Sequence, residues 1–384
     1  MTLIKNARIL TMLDTGEIPN GFILIENGKI KQVGDMEYAP PADNIIDANG
    51  AYVTPGLIDA HSHIGMWEDG IDFEGADGNE EYEPITPQLR AIDAVNPMDR
   101  AFSEALSAGV TSVITGPGSA NPIGGQILAM KTVGKCVDNM IIKEPLAIKL
   151  AFGENPKSAY SEKSQVPSTR MAIAAQIREA FFKAKEYLER IEKHEADPDE
   201  DLPEYDMKSD ILLKALKREI QVHAHVHRAD DIFTAIRIAK EFNLDLVLVH
   251  ATEGHLIKEY LKDYPVLSGP HLTDRSKPEL KNMTEGSGAI LTQSGVKTAI
   301  ITDHPETPQK FLPLCAAIGM KNGLSRLDAL RAITYIPAEI CGVSDRIGSI
   351  KAGLDADLVI WRESPLDITA SPDKVIVNGE ICNI

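Results

Sequence analysis

The sequence predicts an α/β protein: a (β/α)8 TIM barrel with a small β-sandwich domain formed from both chain termini. Three observations carry this expectation. Eight short, β-branched apolar runs recur through the middle of the chain, helical patterns lie between or after them, and both ends read as strands broken by Asn-Gly turns. The 384 residues are enough for a barrel of ~250 residues plus a small partner.

The first fifty residues carry ILTML, GFILIENGKIKQVG and NIIDANGAYVTPG, with Asn27-Gly28 as the clearest hairpin signal. Next come the barrel strands GLIDAH (56–61), VTSVITG (110–116), QILAMK (126–131), LAIKLAF (146–152), IQVHAHV (220–226), LDLVLVH (244–250), PVLSG (265–269) and TAIITD (298–303). Most do not alternate cleanly, which is the pattern of parallel strands buried on both faces. MDRAFSEALSAG, DDIFTAIRIAKEFN and SRLDALRAITYIPAEI supply helices, several stopped by Gly or Asn. One insertion, about 156–217, holds AIAAQIREAFFKAKEYLERIEKHE and the acidic turn ADPDEDLPEYD. It reads equally as a lid or substrate wall and as a peripheral helical hairpin or oligomer contact. The chain closes with DRIGSIKAGLDADLVIWRESP and KVIVNGEICNI, turned at Asn378-Gly379. Residues 1–54 and 343–384 are therefore expected to form one discontinuous β-sandwich domain around a barrel at 55–342.

Charge and composition narrow the class of function. With 39 Lys+Arg against 57 Asp+Glu the formal charge is −18, which argues against nucleic acid as a partner, since phosphate binding draws on clustered cations. No stretch approaches the ~20 apolar residues of a membrane helix, and MTLIKNARILTML lacks the pattern of a signal peptide. Cys136, Cys315, Cys341 and Cys382 show no CxxC spacing and read as small hydrophobes in a reducing compartment. The expectation is a cytoplasmic protein acting on a small-molecule substrate, without membrane or nucleic-acid contact, and by default a homo-oligomer.

The sharpest chemical signal is Asp59-Ala60-His61-Ser62-His63 at the end of the first barrel strand. Residues two apart in a strand face one side, so His61 and His63 point into one site. His223, His225 and His227 share a face of the fifth strand by the same rule; His250 ends the sixth, and Asp303, followed by His304, ends the eighth. Imidazole and carboxylate suit zinc and related divalent ions, and a barrel gathers such strand ends on one rim.

PGLIDAHSH, His225, His250, Asp303 in TDH and the closing GSIKAGLDADLVIW resemble the amidohydrolase superfamily, specifically its imidazolonepropionase-related and prolidase-like branch. The resemblance covers nearly the whole chain and implies the barrel and sandwich read above. It implies one or two divalent ions, zinc first with Mn, Fe or Co as alternatives, held by His61, His63, His225, His250 and Asp303. His225 is preferred to His223 because its distance to the following helix matches the family's spacing. Binuclear members bridge their ions with a carboxylated lysine or a glutamate; in LAIKLAFGENPK this implies carboxylated Lys149 or Glu154, with a slight preference for Lys149. The implied chemistry is hydrolysis of a C–N bond in an amide, peptide or cyclic amide by activated water, with Asp303 as general acid and base.

Deaminases and imidazolonepropionases of this superfamily carry a glutamate two or three residues after the fifth-strand histidine, where this chain has His227 and Arg228. A mononuclear deaminase or ring-opening hydrolase of a nitrogen heterocycle is therefore the alternative. A barrel that keeps its metal face only for binding is a third reading. Arg228 is placed to pair with a substrate carboxylate, or else with Asp230 or Asp231; His255 and His271, after the sixth and seventh strands, are candidate substrate contacts. The loop GPGSANPIGGQ (116–126) could offer backbone amides, and the acidic run 65–84 reads as a solvated loop near the pocket.

Overall fold

The computed structural model describes residues 1–14 and 16–383. The chain opens with β1 (Thr2–Leu10), β2 (Glu17–Glu26), β3 (Lys29–Asp35), β4 (Asn44–Asp47) and β5 (Tyr52–Pro55). Eight strands then make the central sheet: β6 (Leu57–Ser62), β7 (Val110–Thr115), β8 (Ile123–Lys131), β9 (Ile141–Ala151), β10 (Gln221–Val226), β11 (Leu246–His250), β12 (Val266–Ser268) and β13 (Thr298–Ile300). Finally β14 (Leu358–Trp361), β15 (Pro372–Val377) and β16 (Glu380–Ile381) return to the opening strands, in the order β16-β15-β14-β5-β1-β2-β3 with β4 beside β1. One face of this terminal sheet buries Ile4, Ile9, Ile23, Val53, Leu358 and Ile376 in a single cluster that draws on both chain ends. Residue 384, the expected end of that domain, lies outside the described residues.

The central sheet runs in sequence order from β6 to β13. Its one departure from the expected pattern is β8, which is antiparallel to both β7 and β9. The links are the reason: only residues 116–122 and 132–140 join these strands, too few for the dozen or more that a parallel crossover needs. The barrel closes without a ladder between β13 and β6. Instead the Asp303 amide donates to the His61 carbonyl at 3.2 Å, and the His63 amide to that of His304 at 2.9 Å.

The helices are α1 (Arg100–Ser107), α2 (Glu154–Ser161), α3 (Arg170–Ala196), α4 (Met207–Leu216), α5 (Ala229–Phe242), α6 (Ser287–Gln293), α7 (Leu312–Lys321), α8 (Arg326–Arg331) and α9 (Tyr335–Ile340). Thr169 and Asp206 cap α3 and α4 through their side chains. Ile173, Ile177 and Phe181 of α3 and Leu212 of α4 join the core cluster of Val222, Ala224 and Val226 from β10 and of Ile232 and Ala235 from α5. Most of the 156–217 insertion is thus the outer helical layer between β9 and β10, as barrel packing demands. None of its residues lines the cleft at the barrel mouth. No helix among the described residues is long and apolar enough to cross a membrane.

Trp361 joins the two sheets. It is buried among Phe102, Ala105 and Leu106 of α1, and its indole N–H donates to Thr54 Oγ1 at 3.0 Å. Beneath it lies Gly109 at φ +84°, where a Cβ would sit 3.1 Å from the ring. Trp361→Ala is expected to lower stability by about 3–5 kcal/mol, measured as a shift in urea unfolding.

Candidate metal centre

Parallel strands β9, β10, β11, β12 and β13, with β6, end on one rim, and the side chains singled out above meet there. His61 Nε2 and His63 Nε2 each lie 3.4 Å from Asp303 Oδ1. His61, His250 and Asp303 form one group of potential ligands, and His225, His227 and His250 a second, the ligand atoms of each within 4.8 Å of one another. His250 belongs to both. Lys149, fully buried in β9, brings Nζ to 3.2 Å from His61 Nε2.

Local structure aims these rings. Carbonyl oxygens only accept, so Nδ1–H of His63 donates to Gly116 O at 2.7 Å and that of His250 to Gly269 O at 2.8 Å, which leaves each Nε2 lone pair facing the rim. His227 Nδ1 meets Thr252 Oγ1 at 2.6 Å. His250 and Asp303 sit at φ +66° and +55°, in the left-handed region that turns each side chain out of the strand's regular alternation. Behind the rim, buried Asp59 accepts from the Thr302 hydroxyl, from Gln309 Nε2 at 3.0 Å and from the Thr302 amide at 3.3 Å, tying β6 to the end of β13.

The donor set fits divalent cations. Bond lengths of about 2.0–2.2 Å in a tetrahedron separate neighbouring ligand atoms by roughly 3.4 Å, the spacing of His61 and His63 from Asp303. The buried His225 Nε2 and His250 Nε2 have no hydrogen-bond partner among the described residues, a cost that a bound cation removes. Burial holds His61, His225 and His227 well below the ordinary imidazole range and His250 at about 4, so all present neutral lone pairs at pH 7. Burial works to raise the Asp303 carboxyl, but His250, His61 and His63 hold it well below the carboxylate range. Burial pushes Lys149 down to about 8 and Asp59 up to about 7.

His223, the fallback on β10, lies one step deeper, with Nε2 3.2 Å from Gln221 Oε1 and outside both ligand groups. Burial lowers it to about 3, against 6.5 for an exposed imidazole. The unfolded chain therefore takes up a proton first, and the stability due to neutral His223 is lost as pH falls from 6.5 towards 3. Its share of the acid slope approaches about 1.4 kcal/mol per pH unit. Urea unfolding of metal-free protein at pH 7, 6 and 5 is expected to show a shallower acid loss for His223→Gln.

Other candidates sit elsewhere. Glu154 begins α2, and its carboxylate accepts the Glu279 amide at 3.2 Å while its own amide donates to Glu279 Oε2 at 2.9 Å, so it joins neither ligand group. Gly153 before it, at φ +84°, permits this approach, since a Cβ there would meet Glu279 Oε2 at 2.8 Å. Arg228 is half-exposed and forks onto Asp230 at 2.8 and 2.9 Å; the local ion pair wins over the cleft. His255 turns back on Thr252 O at 3.0 Å, and His271 faces Ser268 Oγ at 3.5 Å, so neither lines the cleft. That cleft, about 390 Å³, is lined by His63, His225, His227 and Asp303, by Trp67 and Asn79 of the acidic run, and by Gly118 and Ser119 of the Gly/Asn loop. Asn155 and Lys277 complete one wall, and Lys277 Nζ donates to Asn155 Oδ1 at 2.8 Å. Sequence reasoning set His227 on the histidine-bearing face without choosing it as a ligand, and missed Lys277 and Glu279. The period-two run in VHAHVHR signalled the first; nothing in the loop after β12 signalled the others.

A barrel rim that gathers buried neutral histidines around an aspartate defines a candidate metal-dependent enzyme. The chain belongs to the amidohydrolase family, whose model matches residues 52–382. A crystal structure of an amidohydrolase from Thermotoga maritima MSB8 is 42% identical, covers all of both chains and superposes with a TM-score of 0.96. Among curated relatives, amidohydrolase tasK of Hapsidospora irregularis is 32% identical over 94% of this chain and 39% of its own length. Imidazolonepropionase of Vibrio vulnificus is 24% identical over 96% of this chain and 93% of its own. The chain spans well under half the length of the first curated relatives it matches.

Proposed function

We propose that the chain is a metal-dependent hydrolase of carbon–nitrogen bonds, acting on a small amide, peptide or cyclic amide. The observation that carries this is the pair of ligand groups sharing His250, one of which includes Asp303. In this reading His61, His63, His225, His250 and Asp303 hold two divalent ions, zinc first, with Mn, Fe or Co able to use the same donors. Lys149 would add a further ligand as a carbamate, formed when its neutral amine adds carbon dioxide with loss of one proton. Full burial without a carboxylate ion pair among the described residues supports this, because a buried unpaired ammonium is costly.

Bound ions supply Lewis-acid polarisation of the scissile carbonyl and lower the pKa of a water towards ~7. Asp303, ionised and facing the cleft, accepts the proton of the attacking water and passes it to the departing amine. His63 and Trp67, with ring centroids 5.1 Å apart, form one wall and limit water around the carbonyl. Lys277 takes the carboxylate-binding role first given to Arg228, which favours N-acyl amino acids or dipeptides. The division into a 1–54/343–384 domain and a 55–342 barrel, a homo-oligomeric state and a cytoplasmic setting belong to the same reading, with neither nucleic acid nor membrane as a partner.

The second reading is a one-ion deaminase or ring-opening hydrolase. Glu279 favours it, as a buried carboxylate 4.0 Å from His225 that offers a second acid–base group. Product analysis on the zinc-loaded enzyme separates the two. A free amino acid released from N-acyl amino acids or dipeptides supports hydrolysis of an open amide, whereas ammonia from aminated heterocycles with no amide cleavage refutes it.

A further inference from the structure

We infer that His227 and Glu279 are donors of the second cation subsite, which they share with His225 and His250. The inference rests on the metal-dependent reading above and adds two residues to it. His227 Nε2 lies 3.6 Å from Glu279 Oε1 and His225 Nε2 4.0 Å from the same oxygen. These are near the roughly 3.4 Å edge between ligands of one tetrahedral ion, and small adjustments of the side chains close the difference. His227 stacks on His250 with ring centroids 4.8 Å apart and meets His225 at 4.6 Å. Its Nδ1 contact with Thr252 leaves Nε2 directed inwards.

Glu279 is held from behind. Its Oε2 accepts the Glu154 amide at 2.9 Å, its own amide donates to Glu154, and only Oε1 turns towards the histidines. Oε1 is buried and ion-paired with Lys277, while His225 Nε2 and His250 Nε2 are buried without a hydrogen bond among the described residues. Two orphaned imidazole nitrogens beside a buried carboxylate oxygen on one small volume form a cation site. Lys277 Nζ, 3.1 Å from Glu279 Oε1, is the nearest positive charge. Transfer of the carboxylate to a metal ion frees this ammonium for a substrate carboxylate, which couples ion loading to substrate recognition.

The test titrates metal-free full-length protein with Co2+, read by the visible d–d spectrum and by metal content after gel filtration. It compares wild type, His227→Asn and Glu279→Gln. The substitutions lie on different elements, either one suffices, and circular dichroism of the metal-free forms checks each fold. The inference predicts two ions per wild-type chain, with the second weakened at least about 10-fold in each variant and the first retained. Two ions held by both variants as tightly as by wild type would overturn it while leaving the two-ion reading intact. Normal binding by Glu279→Gln with lost turnover would also overturn it, assigning Glu279 to proton transfer. One wild-type ion untouched by either change would sink both the inference and the two-ion reading. One ion weakened by both changes would keep the inference and remove the His61 subsite.

Discussion

Asp303→Asn is expected to lower kcat/KM by about 10²–10⁴-fold while the chain stays folded. The carboxylate touches the Nε2 atoms of His61 and His63 through Oδ1 and lines the cleft, so the amide loses both the negative charge and the proton acceptor. Asparagine is the appropriate replacement because the backbone at 303 sits at φ +55°, which Asn tolerates better than most residues. The hydrogen bond from the 303 amide to the His61 carbonyl survives, so the join between β13 and β6 is kept. Steady-state kinetics on zinc-loaded protein measures the loss, and an unchanged thermal midpoint of the metal-free variant shows that it is chemical. A variant with near-normal kcat/KM would remove Asp303 from the proton path.

His250→Asn is expected to weaken both ions together. His250 is the residue common to the two ligand groups, and its Nε2 is buried without another partner among the described residues. Loss of a direct donor should exceed the 10–100-fold in metal affinity typical of outer hydrogen-bond partners. The Nδ1 contact with Gly269 goes with it, at a cost of about 1 kcal/mol to the fold, together with the ring's packing on His61, His225 and His227. Metal analysis after gel filtration is expected to give sub-stoichiometric content, against about two ions for wild type. Retention of one full equivalent would mean that the two groups are independent and that His250 serves just one.

Much of this was legible in the chain because strand chemistry is local. All eight barrel strands lie where β-branched runs stand in the sequence, and the period of two set His61 beside His63 and His225 beside His227. The join of the two chain ends followed from Asn-Gly hairpins at both termini. The direction of β8 was not legible from its composition, since a buried antiparallel strand carries the same apolar residues as a parallel one; only the short links of 116–122 and 132–140 revealed it.

Loop chemistry was harder to read because it depends on contacts far apart in sequence. Glu279 reaches the rim through a reciprocal pairing with Glu154, 125 residues earlier, in which each carboxylate accepts the other's amide, and no spacing rule reports such a pairing. Arg228 illustrates the converse: two aspartates follow it at once, and the fork onto Asp230 is the short-range outcome that a guanidinium at a helix start favours. Lys277 holds the wall that Arg228 leaves, from a loop whose sequence gave no sign of it.

Occupancy of the barrel mouth by two ions around His250 is the property on which the proposed hydrolysis turns. Anomalous difference density from crystals of the zinc-loaded protein, collected above and below the zinc edge, tests it most directly. Two peaks about 3.5–4 Å apart are expected, one among His61, His63, His250 and Asp303 and the other among His225, His227 and His250. A single peak, or none at these side chains, would contradict it.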